Sequence, residues 1–125
     1  MIRIFLALVA LSYFAFGAWA LFYPIEMTSQ LGMDVSGRNG SFEIRGIYGG
    51  VSLGTAVLCA AGAATASMRR PALWFLVAYM GGYCASRVAA FILDGPPSDY
   101  FYSFIAFEAA LLLGAVLSLR ALPRA

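Results

Sequence analysis

The sequence has 125 residues, 62% of them apolar or aromatic and only 11% charged, with a net charge of +2. A soluble domain carries about 25% charged residues, and a chain this short could not bury so much apolar surface in water. Disorder is excluded by the same figures, so the medium is lipid. All eight basic residues are arginine and histidine is absent. That removes the imidazole base, the haem-binding histidine and the usual zinc site. The arginines are scattered, with no basic run, so nucleic acid is not an expected partner. Cys59 and Cys84 stand alone, without CxxC spacing, and point to neither redox exchange nor a disulfide framework. No cofactor is expected.

Crossing a bilayer core of about 30 Å takes about 20 mostly apolar residues in a helix. Four stretches meet that length: 4–23, 42–67, 72–93 and 100–119. Ala18-Trp19-Ala20 resembles a signal-peptide cleavage site, but the first stretch reads as a retained span, with Trp19 and Tyr23 as interfacial anchors. Pro24 to Ser41 is the longest connection. Within it, Pro24 to Leu31 is expected to form a short interfacial helix ended by Gly32, followed by a turn at Gly37-Arg38-Asn39-Gly40. Ser67 to Pro71 reads as a tight hairpin, and Asp94-Gly95-Pro96-Pro97 as a break after which Ser98 caps span four.

Together these predict an all-α protein, an integral membrane four-helix bundle in one domain. With four spans, Arg3, Arg69, Arg70, Arg120 and Arg124 share one side with no acid, whereas the other holds Arg38 with Glu26, Asp34, Asp94 and Asp99. The positive-inside rule then puts both termini in the cytoplasm.

Glu43, Arg45, Arg87 and Glu108 lie within the spans. A charge at mid-bilayer costs about 2.5–3.5 kcal/mol on insertion scales, so such residues are paired or functional. At 1.5 Å per residue Arg45 lies about 6 Å below Ser41, Arg87 about 9 Å below Leu93 and Glu108 about 9 Å below Tyr102. A common level argues for one cluster, with Arg87 and Glu108 as the buried ion pair. Arg45, Tyr48, Ser52, Thr55 and Cys59 recur at steps of three and four, a polar stripe on one face. Tyr79, Tyr83, Ser86 and Arg87 share a polar face on span three. Glu43 points away from Arg45 and belongs at headgroup level, where a helix N-terminus favours an anion.

Gly46, Gly50 and Gly54 form a GxxxGxxxG row, and Gly82 with Ala78 repeats the spacing on span three. Such rows let helix backbones approach closely, here to pack spans two and three within the chain or to join two chains. Phe14, Phe16, Phe101, Tyr102, Phe104 and Phe107 read mainly as lipid-facing or interfacial aromatics. Stacking of a flat ring such as a quinone is the other use they allow.

The run Glu43-Ile44-Arg45-Gly46-Ile47-Tyr48-Gly49-Gly50 resembles the signature of a family of small bacterial membrane proteins known as domain of unknown function 4345. The agreement continues through Gly82, Arg87, Asp94-Gly95 and Glu108 and covers essentially the whole chain. The family is more distantly similar to DoxX-like four-helix membrane proteins. The resemblance implies a four-helix bundle in the bacterial inner membrane and no established activity, substrate or cofactor.

The leading functional expectation is a non-enzymatic membrane protein with an outward-facing pocket for a small anionic or amphipathic ligand such as a lipid headgroup. Arg45 and Arg87 would contact the anion, Glu108 would orient Arg87, and Tyr48 and Tyr83 would wall the site, with Glu43 at its rim. Against it stands a purely structural role for the charges in holding the helices together. Three further readings are an accessory subunit of a larger membrane complex, a dimeric transporter using Glu108 for protons, and an enzyme using tyrosines and Glu108 as acid and base.

Overall fold

The computed structural model describes residues 1–123; Arg124, counted above for the arginine-rich face, lies outside the described residues. Six α-helices make up the fold, with no strand among the described residues: α1 (Ile2–Phe22), α2 (Pro24–Gln30), α3 (Gly37–Ile44), α4 (Val51–Ala64), α5 (Ala66–Asp94) and α6 (Phe101–Ala121). A π-helical turn, Arg45–Gly50, joins α3 to α4 without a break. Four rods are long and apolar enough to cross a membrane: α1, the continuous Gly37–Ala64 rod, α5 and α6.

The local chemistry explains the boundaries. Pro24 opens α2 at its first position, where the missing N–H costs nothing. Gly32, at φ 71°, lets the chain leave it. The expected turn at Gly37-Arg38-Asn39-Gly40 is instead the first turn of α3, entered through Gly37 at φ 79°. The expected hairpin at Ser67–Pro71 is also corrected. The reversal is made by Thr65 alone in extended backbone, and α5 then runs on through Pro71. Near a helix start, proline forfeits a single backbone bond. Ser98 does not cap α6: the N-cap is Tyr100, and the Ser98 carbonyl accepts the Phe101 N–H at 2.9 Å in the turn before it.

Neighbouring rods pack in an open order. α1 lies along α4 and the π turn, α4 along α5, and α5 along α6, while α1 and α6 barely touch. Near the termini, Leu6, Val9, Leu73, Leu76, Met80, Leu111 and Ala115 form one core. There α6 meets α1, the Phe5 ring lying against Gly114. At the opposite end Ala20, Met27, Leu31 and Ile44 form a second core, against which Met33, Phe101 and Phe104 pack. The loop segment after α2 thus fills the space between α1 and α6 at that end.

Glycine lets helices approach at positions other than those expected. A Cβ on Gly17 would lie 3.0 Å from Leu53 and Ser52, and one on Gly49 3.3 Å from the Leu21 backbone. On Gly62 it would lie 3.0 Å from Ala72 and Leu6. At Gly46, Gly54 and Gly82 it would meet nothing within 4 Å, and at Gly50 only the Arg45 carbonyl at 3.8 Å. The GxxxGxxxG row therefore does not pack span two on span three. It faces outward, and the close approaches fall on a neighbouring face of the same helix.

Three arginines fasten helix ends. The last four carbonyls of a helix have no partner within it. Arg3 Nε donates to Ala63 O at 3.1 Å, at the end of α4, and Arg45 Nε to Leu21 O at 2.9 Å, at the end of α1. Arg70 donates to Pro123 O at 2.6 Å, just beyond α6. A cation at a helix C-terminus is also favoured by the helix dipole.

Candidate functional site

A cavity of about 320 Å³ lies between the four rods on the side of the long loop. Every rod contributes to its wall: Ser12, Tyr13 and Phe16 from α1; Tyr48 and Ser52 from the Gly37–Ala64 rod; Tyr79, Met80, Tyr83 and Arg87 from α5; Phe101, Phe104, Phe107 and Glu108 from α6. Leu31 and Met33 of the loop complete it.

At its polar end Arg87 and Glu108 form a two-pronged ion pair. Arg87 Nε donates to Glu108 Oε2 at 3.1 Å and Nη2 to Oε1 at 2.8 Å. The depth argument brought these two residues together from opposite spans, and they meet. The guanidinium carbon also lies 5.6 Å from the ring centres of both Tyr83 and Phe101, so the cation sits against two aromatic faces. Parallel N–H bonds to a carboxylate fix orientation as well as energy, and aromatic faces attract a cation that has shed water. The side chain of Glu108 is 11% exposed and that of Arg87 32%, which leaves the arginine the more accessible partner.

The remaining wall is aromatic. Tyr79 stands edge-on to Tyr83, with centroids 5.2 Å apart, and lies 6.1 Å from Tyr13. The Tyr13 hydroxyl approaches Met80 Sδ at 3.4 Å, and Phe16 meets Tyr48 edge-on at 6.2 Å. Of the six aromatics read as lipid-facing or interfacial, Phe16, Phe101, Phe104 and Phe107 line the cavity, whereas Phe14 and Tyr102 are exposed.

Arg45 and Glu43 are not brought to this cavity. Arg45 is committed to Leu21 O and, through Nη1, to Ser41 Oγ at 3.1 Å. The π turn is the physical reason. Its i→i+5 bonding takes more than 3.6 residues per turn, so Arg45 falls out of phase with Tyr48. Beyond the turn the stripe holds: Ser52, Thr55 and Cys59 are buried, and Thr55 donates to its own helix at Val51 O. Glu43 is exposed, and because the helix starts at Gly37 it lies well beyond the N-terminal turn that would have favoured its charge. Among the described residues Arg87–Glu108 is the ion pair of the bundle.

Sequence reasoning missed the α1 wall and the loop residues Leu31 and Met33. Ser12-Tyr13, the polar pair inside an otherwise apolar first span, was the available signal for the former. Met33 carried none. No curated protein and no solved structure matches this chain. The model of one family, described as a domain of unknown function (DUF4345), matches residues 1–119, and the chain belongs to that family.

Proposed function

We propose that this is a multi-pass protein of the bacterial inner membrane, with both termini cytoplasmic, whose cavity binds a small amphipathic molecule by an uncharged polar group. The observation that carries this reading is the position of the Arg87–Glu108 pair at the wall of an open cavity, braced by Tyr83 and Phe101. An ion pair serving only to tie α5 to α6 needs no cavity beside it, and two packed apolar side chains would do the same without several kcal/mol of desolvation per ion. A cavity of a few hundred Å³, mostly aromatic with one convergent polar group, is the usual form of a small-molecule site.

The chemistry favours a neutral head over an anion. Glu108 already balances the Arg87 charge, and Arg45, which would have supplied a second cation, is bound to Leu21. Nη1 of Arg87 remains free of Glu108 and can donate to a carbonyl, ether or hydroxyl oxygen, while the carboxylate keeps acceptor capacity for a hydroxyl. An incoming carboxylate or phosphate would meet the like charge of Glu108 on the same guanidinium. Tyr48, Tyr79 and Tyr83 add neutral hydroxyls and ring faces on which a flat head can stack.

Native mass spectrometry of protein released from lipid nanodiscs tests this. Wild-type protein should carry a discrete small-molecule adduct that Arg87→Ala loses while still inserting. Equal retention in the variant, or a bare wild-type chain, would reject the site.

A further inference from the structure

Resting on that binding reading, we infer that the ligand is a membrane-resident lipid with an uncharged ring head and a single hydrocarbon chain, which enters sideways from the bilayer between α1 and α6. The gap between these helices has defined limits. Toward the termini Phe5 closes it against Gly114. Toward the loop Leu31, buried, and Met33 cross it and pack with Phe101 and Phe104. Between those closures α1 and α6 are held apart by the cavity itself.

Among the residues lining the cavity, the two that are exposed are Ser12 on α1 and Phe107 on α6, the latter at 43%. They mark the mouth. Ser12 lies ten residues before Phe22, about 15 Å from the loop end of α1, and Phe107 six residues after Phe101, about 9 Å into α6. In a hydrocarbon layer about 30 Å thick, that level is inside the bilayer and not at its surface. Arg87 and Glu108, each seven residues from the loop end of its helix, lie about 10 Å deep, level with the mouth.

This geometry selects the ligand. A water-soluble molecule would meet the apolar closure of Leu31, Met33 and Phe101. A lipid already dissolved in the bilayer passes directly from chain region to ion pair. A cavity of about 320 Å³ accommodates a ring-sized head but not a chain as well, so the chain must leave through the mouth into lipid. One narrow mouth between two helices admits one chain more readily than two. The walls of Tyr13, Phe16, Tyr79 and Phe104 suit a ring by offset or edge-on stacking.

The probe is dodecylphenol in phosphatidylcholine nanodiscs, with phenol as the chainless counterpart, and bound probe is followed by native mass spectrometry. Wild-type protein should load dodecylphenol and not retain phenol, and Arg87→Ala should load neither. Ser12→Trp should slow loading at least about tenfold, because the indole narrows the mouth and adds a barrier of that order. Phe107→Ala should quicken it, which keeps the test decisive if Ser12→Trp misfolds. Met33→Ala, at the loop-end closure, should quicken loading less than Phe107→Ala does. If Ser12→Trp and Phe107→Ala load at the wild-type rate while Arg87→Ala stays empty, sideways entry is overturned and the binding site stands. Faster loading in Met33→Ala with no effect at the mouth would assign the route to the loop end instead. Retention of phenol as firmly as dodecylphenol would refute the chain-bearing ligand. Failure of wild-type protein to load either probe would reject the ring-headed ligand, and a chain that also emerges bare from its native membrane would reject the site with it.

Discussion

Arg45 and Leu21 are joined across two rods, the guanidinium Nε donating to the Leu21 carbonyl at 2.9 Å. Leu21 belongs to the last turn of α1, where carbonyls lack partners in their own helix. The bond is exposed, so its worth is modest. Arg45→Ala should lower stability by about 1 kcal/mol and leave the cavity's ligand in place. Thermal unfolding in detergent alongside native mass spectrometry checks both halves. Loss of the ligand in this variant would return Arg45 to the site.

Glu108 leaves a more costly orphan. Glu108→Gln strands the Arg87 charge in the membrane interior, and removing one partner of a buried pair costs about 3–5 kcal/mol. Replacing both, as in Arg87→Met with Glu108→Leu, should recover much of that loss, because two apolar side chains avoid the desolvation penalty. Unfolding free energies of Arg87→Met, Glu108→Leu and the double variant give the coupling directly. Additive effects would mean that the two residues do not act as a pair.

Two glycines on the same rod should respond with opposite signs. Gly62→Ala places a methyl 3.0 Å from both Ala72 and Leu6 and 3.2 Å from the Met68 carbonyl, so the helices must part. Overpacking of this kind costs about 1–3 kcal/mol. Gly54→Ala meets nothing within 4 Å and should stabilise the helix by about 0.5–1 kcal/mol. A pair of melting curves decides it, and destabilisation at Gly54 would show that the outward row is covered by another chain.

The π turn can be tested by shortening it. Ile47 is exposed, and deleting it should let Arg45–Gly50 relax to an ordinary α-helix. A π turn takes up one extra residue, so its loss leaves α3 and α4 in nearly the same relative rotation and Arg45 still beside Leu21. Arg45→Ala should therefore cost about as much in the deletion as in the full chain. A deletion that abolished the Arg45→Ala effect would show that the bond depends on the turn.

The transmembrane architecture was legible because hydropathy over twenty residues is a coarse and robust quantity. The meeting of Arg87 with Glu108 was legible because two lone charges at one depth have few other partners. Arg45 was not, since the stripe it heads assumes 3.6 residues per turn and the π turn interrupts that count. The glycine row illustrates a different limit. Spacing at four marks a smooth face, but only geometry tells whether Gly54 or Gly62 is the one pressed against a neighbour. Leu31 and Met33 close the cavity through the path of a loop, and no periodicity reports that.

The three arginine fastenings at Ala63, Leu21 and Pro123 have a chemical consequence of their own. A guanidinium stays protonated at every pH a cell encounters, and a peptide carbonyl does not titrate. A lysine or histidine in the same role would loosen somewhere on the alkaline or the acid side, and this sequence contains neither. The helix ends therefore stay latched on both flanks of the membrane, even where one of those flanks faces a compartment that turns acidic.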